Sequence, residues 1–166
     1  MKIFTIAATP FFADRGCHIR IYNEAKYLQK LGYKMLICTY HLGKNIAGLE
    51  IKRIDKVNWY KKFTPGFAWG KVWLDLKLFF LCFKEIRKFN PSIIHAHLYE
   101  SLVIGKLAAL LNFKRIPILF DLQGDIGLEF KSPDTGRIIL IKKRIHALTI
   151  ILLLFFLSAR IIGMNL

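Results

Sequence analysis

The sequence predicts an α/β fold in which a mostly parallel sheet is covered by helices on both faces, a three-layer sandwich. Short apolar runs rich in β-branched residues alternate with segments of helical spacing. The strand candidates are apolar nearly throughout, as strands covered on both faces must be. The connections are short and punctuated by glycine or proline. The chain has 166 residues, 54% hydrophobic and 14% aromatic, so composition excludes disorder and one domain, 1–166, has enough material for a core.

The first element is the run Lys2 to Ala8, a strand leading into a loop bounded by Pro10 and Gly16. Helical spacing begins near Cys17 or His18. Ile21, Ala25, Leu28 and Leu31 then share one arc of about 120°, with Leu31-Gly32 as the stop. Glu24 falls inside that arc, where an apolar face has no use for it. A strand entering a helix across a glycine aims the helix's free N–H groups beyond the strand end, a place for an anion such as phosphate.

Lys34 to Tyr40 reads as a second strand, and His41 to Gly48 as a loop. Leu49 to Ile54 alternates apolar with charged residues, the pattern of an edge strand. Val57 to Trp73 is irregular and gathers Trp59, Trp69 and Trp73 among Lys61, Lys62 and Lys71. A helix follows to about Phe89, stopped by Asn90-Pro91 because the residue before proline leaves the helical region. Ser92 to His97 is a strand, Ser101 to Leu111 a helix, and Pro117 to Leu122 a strand closing on Gln123-Gly124-Asp125. A long helix over 137–157 and a last strand over 159–163 complete the expected order.

The formal charge is +15, from 26 lysines and arginines against 11 acids spread along the chain. Nucleic acid, an anionic membrane or phosphorylated small molecules would each answer to it, and so would a lysine-rich solvated surface. No RNP-like or helix-turn-helix signature supports nucleic acid, which is not an expected partner. Cys17, Cys38 and Cys82 are odd in number without CxxC spacing, which fits a reducing compartment rather than a disulfide framework. The opening apolar run is too short for a signal peptide.

A parallel sheet binds ligands at the carboxyl ends of its strands. That places candidates in Pro10 to His18, Thr39 to Leu42, His97 to Ser101 and Gln123 to Gly127. Gly16 would let a ligand approach backbone, with Arg15 and His18 beside it, although neither a GxGxxG nor a P-loop fingerprint is present. His95 and His97 share one side of an ideal strand; His97, the later, is placed in the cleft to offer a hydrogen bond or proton to a sugar hydroxyl. No metal is expected, because no carboxylate or cysteine near them in sequence completes a ligand set. Trp59 to Trp73 reads either as a loop packed on the core or as a contact to anionic headgroups through Trp59, Lys61, Lys62, Trp69 and Lys71. The stretch from Ala147 to Leu157 is too short to span a bilayer, and extension to Gly163 would bury Arg160, so a core helix is the simpler reading.

The order Pro10-Phe-Phe-Ala-Asp-Arg-Gly16 before a helix, Leu31-Gly32-Tyr33-Lys34 into a strand, Ile93-Ile-His-Ala-His97 and Ser158-Ala-Arg-Ile-Ile162 resembles the N-terminal half of family 4 glycosyltransferases. These are retaining enzymes of the GT-B architecture, two Rossmann-like halves facing across a cleft. The resemblance implies a Rossmann-like acceptor-side domain, with the C-terminal nucleotide-sugar domain absent. It implies a nucleotide-sugar donor, a glycan or lipid-linked acceptor, no metal or other cofactor, and a partner half in the same or another chain. Gly16 corresponds to the loop glycine and, with Arg15, would meet the donor phosphate and sugar. His97 corresponds to the family's histidine, the catalytic candidate. His18, Gln123, Gly124 and Asp125 would face the acceptor. Family members often carry a second glycine beside the Gly16 position, and often a histidine where Gln123 stands. The expected location is cytoplasmic, peripheral at the inner membrane face.

Overall fold

In a computed structural model, residues 1–13, 16–60 and 69–121 are described. They belong to one compact unit, Met1–Gln123. The helix expected over 137–157 and the strand over 159–163 lie outside the described residues.

Five strands form one sheet: β1 (Lys2–Ala7), β2 (Lys34–Thr39), β3 (Ile51–Arg53), β4 (Ile93–His97) and β5 (Ile118–Asp121). Their spatial order is β3-β2-β1-β4-β5, and every neighbouring pair is parallel. Three helices connect them: α1 (Gly16–Lys30), α2 (Trp69–Phe89) and α3 (Tyr99–Leu111). Alternation divides the strand side chains between two cores. Phe4, Ile6, Leu36, Cys38 and Ile94 pack with Leu74, Leu78, Cys82, Ile86, Ile104 and Ala108, under α2 and α3. Ile3, Ala7, Met35 and Ile37 pack with Ile21 and Ala25, under α1. The described part is therefore the expected three-layer α/β sandwich.

The local stops act as the sequence reading anticipated. Gly32 takes φ 84°, and the Tyr33 N–H returns 3.1 Å to the Leu28 carbonyl, capping α1 with a left-handed residue. Three boundaries differ. Leu31 leaves the arc and is 55% exposed, since it belongs to that capping turn rather than to α1. β3 is only Ile51–Arg53, because a turn ties the Leu49 N–H to the Ile46 carbonyl at 3.2 Å. α2 begins at Trp69, about a turn before the start expected after Trp73, and in that added turn Lys71 pairs with Glu100 of α3.

The other end of that contact holds a buried carboxyl. The Tyr40 hydroxyl, from the end of β2, donates to Asp75 of α2. Burial raises the Asp75 carboxyl to about 7, opposed by Tyr40 and Lys71 and reinforced by Glu100. A carboxyl whose pKa is higher folded than unfolded binds more protons in the folded state, so its contribution falls as pH rises from about 4 to about 7. Asp75→Asn keeps the acceptor for Tyr40 and cannot ionise. Its melting temperature should exceed wild type at pH 8 and match it near pH 4; a difference independent of pH would refute the assignment.

Candidate functional site

Strand order reverses direction between β1 and β4, and in open parallel sheets that is where a crevice forms. Its near wall is the loop after β1. The Ala8 N–H donates to the buried Ser101 hydroxyl of α3 at 2.9 Å, tying this loop to the far wall. His18, the third residue of α1, is fully buried. Its Nε2 lies 2.8 Å from the Thr9 hydroxyl, and its Nδ1 meets the backbone of Ala13. The far wall is the end of β4, where Leu98 holds φ 71° and ψ 159°, a conformation nearly reserved for glycine.

A third loop closes on the first. The Arg53 guanidinium donates to the carbonyls of Phe11, Tyr40 at 3.1 Å, Leu42 at 2.8 Å and Lys44 at 2.7 Å, and to Asn45 Oδ1 at 2.9 Å. Gly43, at φ 104°, passes so close that a Cβ would sit 2.4 Å from the Phe11 carbonyl oxygen. Only glycine fits there.

Beneath the crevice, on the α1 side of the sheet, lies a polar cluster inside an apolar layer. His97 Nδ1 is 3.0 Å from Asp121 Oδ2 at the end of β5. Arg20 reaches Asp121 Oδ1 at 2.7 Å and Glu24 Oε1 at 3.0 Å. Glu24 Oε2 is 3.9 Å from His95 Nε2 and 3.8 Å from His97 Nε2, and the two imidazole centroids are 4.2 Å apart. Burial lowers both histidines below the usual imidazole range, His97 to about 4, further disfavoured by His95 and only partly restored by Asp121. Both rings are neutral at pH 7.

The structure thus answers what Glu24 is doing in an apolar arc: it faces the histidines. It also brings together carboxylates that sequence proximity did not offer, from α1 and β5. Glu24 inside an apolar arc and the His95/His97 pair were the signals of this cluster in the sequence; Asp121 and Arg53 gave none.

Gly16 is the first residue of α1, and among the described residues no atom outside its chain neighbours and its own helix backbone lies within 4 Å of where its Cβ would be. His97, placed in the cleft by the sequence reading, is 1% exposed, because its side chain turns under α1 toward Asp121. His18, expected to face the acceptor, instead holds the loop between β1 and α1. Trp59 is 65% exposed, whereas Lys71 is engaged by Glu100. Arg15, Lys61, Lys62, Gln123, Gly124 and Asp125 lie outside the described residues, as does the side chain of Trp69.

Solved structures share this fold, among them the two that follow. A sucrose-phosphate synthase from Thermosynechococcus elongatus aligns with a TM-score of 0.61 at 13% identity, over 80% of this chain and 35% of that one. MurG from Acinetobacter baumannii aligns with a TM-score of 0.51 at 18% identity, over 76% of this chain and 37% of that one. The chain therefore spans little more than a third of the length of either. At these identities the likeness is one of fold, a Rossmann-like half of the GT-B architecture. No curated protein matches the sequence. The sequence pattern of Glycosyltransferase Family 4 matches residues 15–159, nearly the whole chain, and the protein belongs to that family.

Proposed function

We propose that this chain is the acceptor-side half of a glycosyltransferase that moves a sugar from a nucleotide-sugar donor to a glycan or lipid-linked acceptor. A nucleotide-binding half, in the same or another chain, would complete the cleft. The observation that carries the reading is the switch point: the connections leaving the paired strands β1 and β4 pass to opposite faces of the sheet there, with the Gly16 end of α1 on one side and strained Leu98 on the other. Gly16 and Arg15 would receive the donor phosphate at the start of α1, where free N–H groups favour an anion. Gln123, Gly124 and Asp125, following β5, would line the acceptor side. His97 is buried and neutral, so its proposed part is to hold the β4–β5 end through Asp121, with no proton donated at neutral pH. His18 acts in the same indirect way, through the loop it fixes.

On this reading these 166 residues would supply only half of the preorganised electrostatics needed to stabilise a departing nucleotide. Joined to a GT-B half that binds nucleotide sugars, the chain should transfer labelled sugar to a glycan or lipid-linked acceptor, whereas neither half alone should. No transfer from a panel of nucleotide sugars by the joined protein would refute the reading.

Docking at an anionic membrane surface is part of the proposal. Among the described residues no helix is long and apolar enough to cross a membrane. On α2, Val72, Trp73, Leu76 and Phe80 fall within about 100° of one another and are exposed, opposite the buried stripe Leu74, Leu78, Cys82 and Ile86. With exposed Trp59 they supply an apolar face of the kind that enters a headgroup layer. Flotation with anionic vesicles should fall strongly in the Trp73→Glu, Phe80→Glu double variant and moderately when Lys61 and Lys62 become alanine. Lys71→Ala should add little, since Glu100 already balances that charge. Unchanged flotation in the double variant would remove α2 from any membrane contact.

A further inference from the structure

We propose that Glu24, His95 and His97 bind a single divalent transition-metal ion of the zinc type, with Asp121 orienting His97, so that the ion staples α1 to β4 beneath the crevice.

The geometry carries the inference. His95 Nε2, His97 Nε2 and Glu24 Oε2 converge with separations of 3.8 and 3.9 Å along the two histidine–carboxylate edges. Ligands about 2.1 Å from a tetrahedral ion stand about 3.4 Å apart, so these two edges need close by only about half an ångström, and all the candidate ligand atoms already lie within 4.8 Å of one another. Glu24 Oε2 is buried and accepts no hydrogen bond among the described residues. Thr5, the register partner of His95 on β1 and on the same face of the sheet, is 1% exposed, and its hydroxyl is likewise unpartnered among them. Buried polar atoms are paired as a rule, and an orphaned carboxylate oxygen facing two histidine nitrogens asks for a missing partner. At 3.8 and 3.9 Å the contacts from Glu24 Oε2 to the two imidazole nitrogens are too long for hydrogen bonds and leave room for an ion among them.

The surroundings fit the ion. Asp121 Oδ2 accepts from His97 Nδ1–H, which fixes the tautomer and turns the Nε2 lone pair toward Glu24. Two imidazoles and one carboxylate suit zinc, cobalt or nickel rather than magnesium or calcium. A groove of about 300 Å³, lined by Ile3, Glu24, Leu28, Ile93, His95 and Leu119, reaches the cluster and offers a path in. Arg20 opposes the ion, but it is exposed and engages the outer carboxylate oxygens, so its charge is largely screened.

The inference does not depend on the glycosyl-transfer reading, and its test is spectroscopic. The full chain, stripped with chelator, is titrated with cobalt chloride at pH 7. A visible d–d band should saturate at one equivalent without a thiolate charge-transfer band, and zinc should displace it. Glu24→Gln and His95→Gln should each weaken binding at least about tenfold, and Asp121→Asn by about tenfold. Glu24→Gln should melt as wild type does in chelator, which separates lost metal from lost fold. No saturable band at micromolar cobalt, a thiolate signature, or equal affinity in Glu24→Gln and wild type would each overturn the proposal.

Discussion

Gly16→Leu is expected to lower transfer by the joined enzyme about a hundredfold or more while leaving its melting temperature at or above wild type. The two effects separate because, among the described residues, nothing outside its own helix and chain neighbours stands beside Gly16. Among the described residues nothing approaches within 4 Å of a Cβ there, and Gly16 is not among the left-handed residues. A side chain at this position strains no backbone, and replacing glycine at a compatible helical position stabilises by about 0.5 kcal/mol through the unfolded chain. What it fills is the approach to the first N–H groups of α1. A donor phosphate displaced by about 1 Å loses on the order of a hundredfold in rate. Gly16→Ala should show a smaller loss in the same direction. The measurements are thermal unfolding and initial rates against donor concentration. Wild-type kinetics in Gly16→Leu would mean that no ligand passes this glycine.

Arg53→Ala is expected to destabilise the folded chain by about 3 kcal/mol, read from urea unfolding with an unchanged slope. One guanidinium holds four carbonyls and one side-chain amide from two loops, and no carboxylate competes for it among its hydrogen bonds. Hydrogen bonds from a charged donor exceed neutral ones, and their loss leaves several carbonyls to find water in a loop closed by Gly43. Arg53→Lys should recover little of this, since a compact ammonium cannot reach both arms of that set. Because the loop that Arg53 holds leads into Gly16, the variant should also impair transfer at temperatures well below its midpoint. A loss under about 0.5 kcal/mol would show that the loops stand without the guanidinium.

Much of this fold was legible without coordinates, for a local reason. Strand and helix periods, the Gly32 stop and the Asn90-Pro91 break act within a few residues, so they survive in the linear order. Apolar runs alternating with helices then leave a covered parallel sheet as the arrangement that buries them. Gly16 and the histidine pair were legible as positions at strand and helix ends. Their chemistry was not. His97 sits at the end of its strand as expected, yet alternation and the covering α1 turn it inward against Asp121. Glu24 and His95 meet only because α1 packs over β4, and Arg53 finds its carbonyls only because two loops close over one strand end. Local pattern was enough for the order of the described elements and for the family resemblance. The tertiary structure alone decided which charged groups share a buried space, because electrostatic pairing depends on distance through the folded interior and not on separation along the chain.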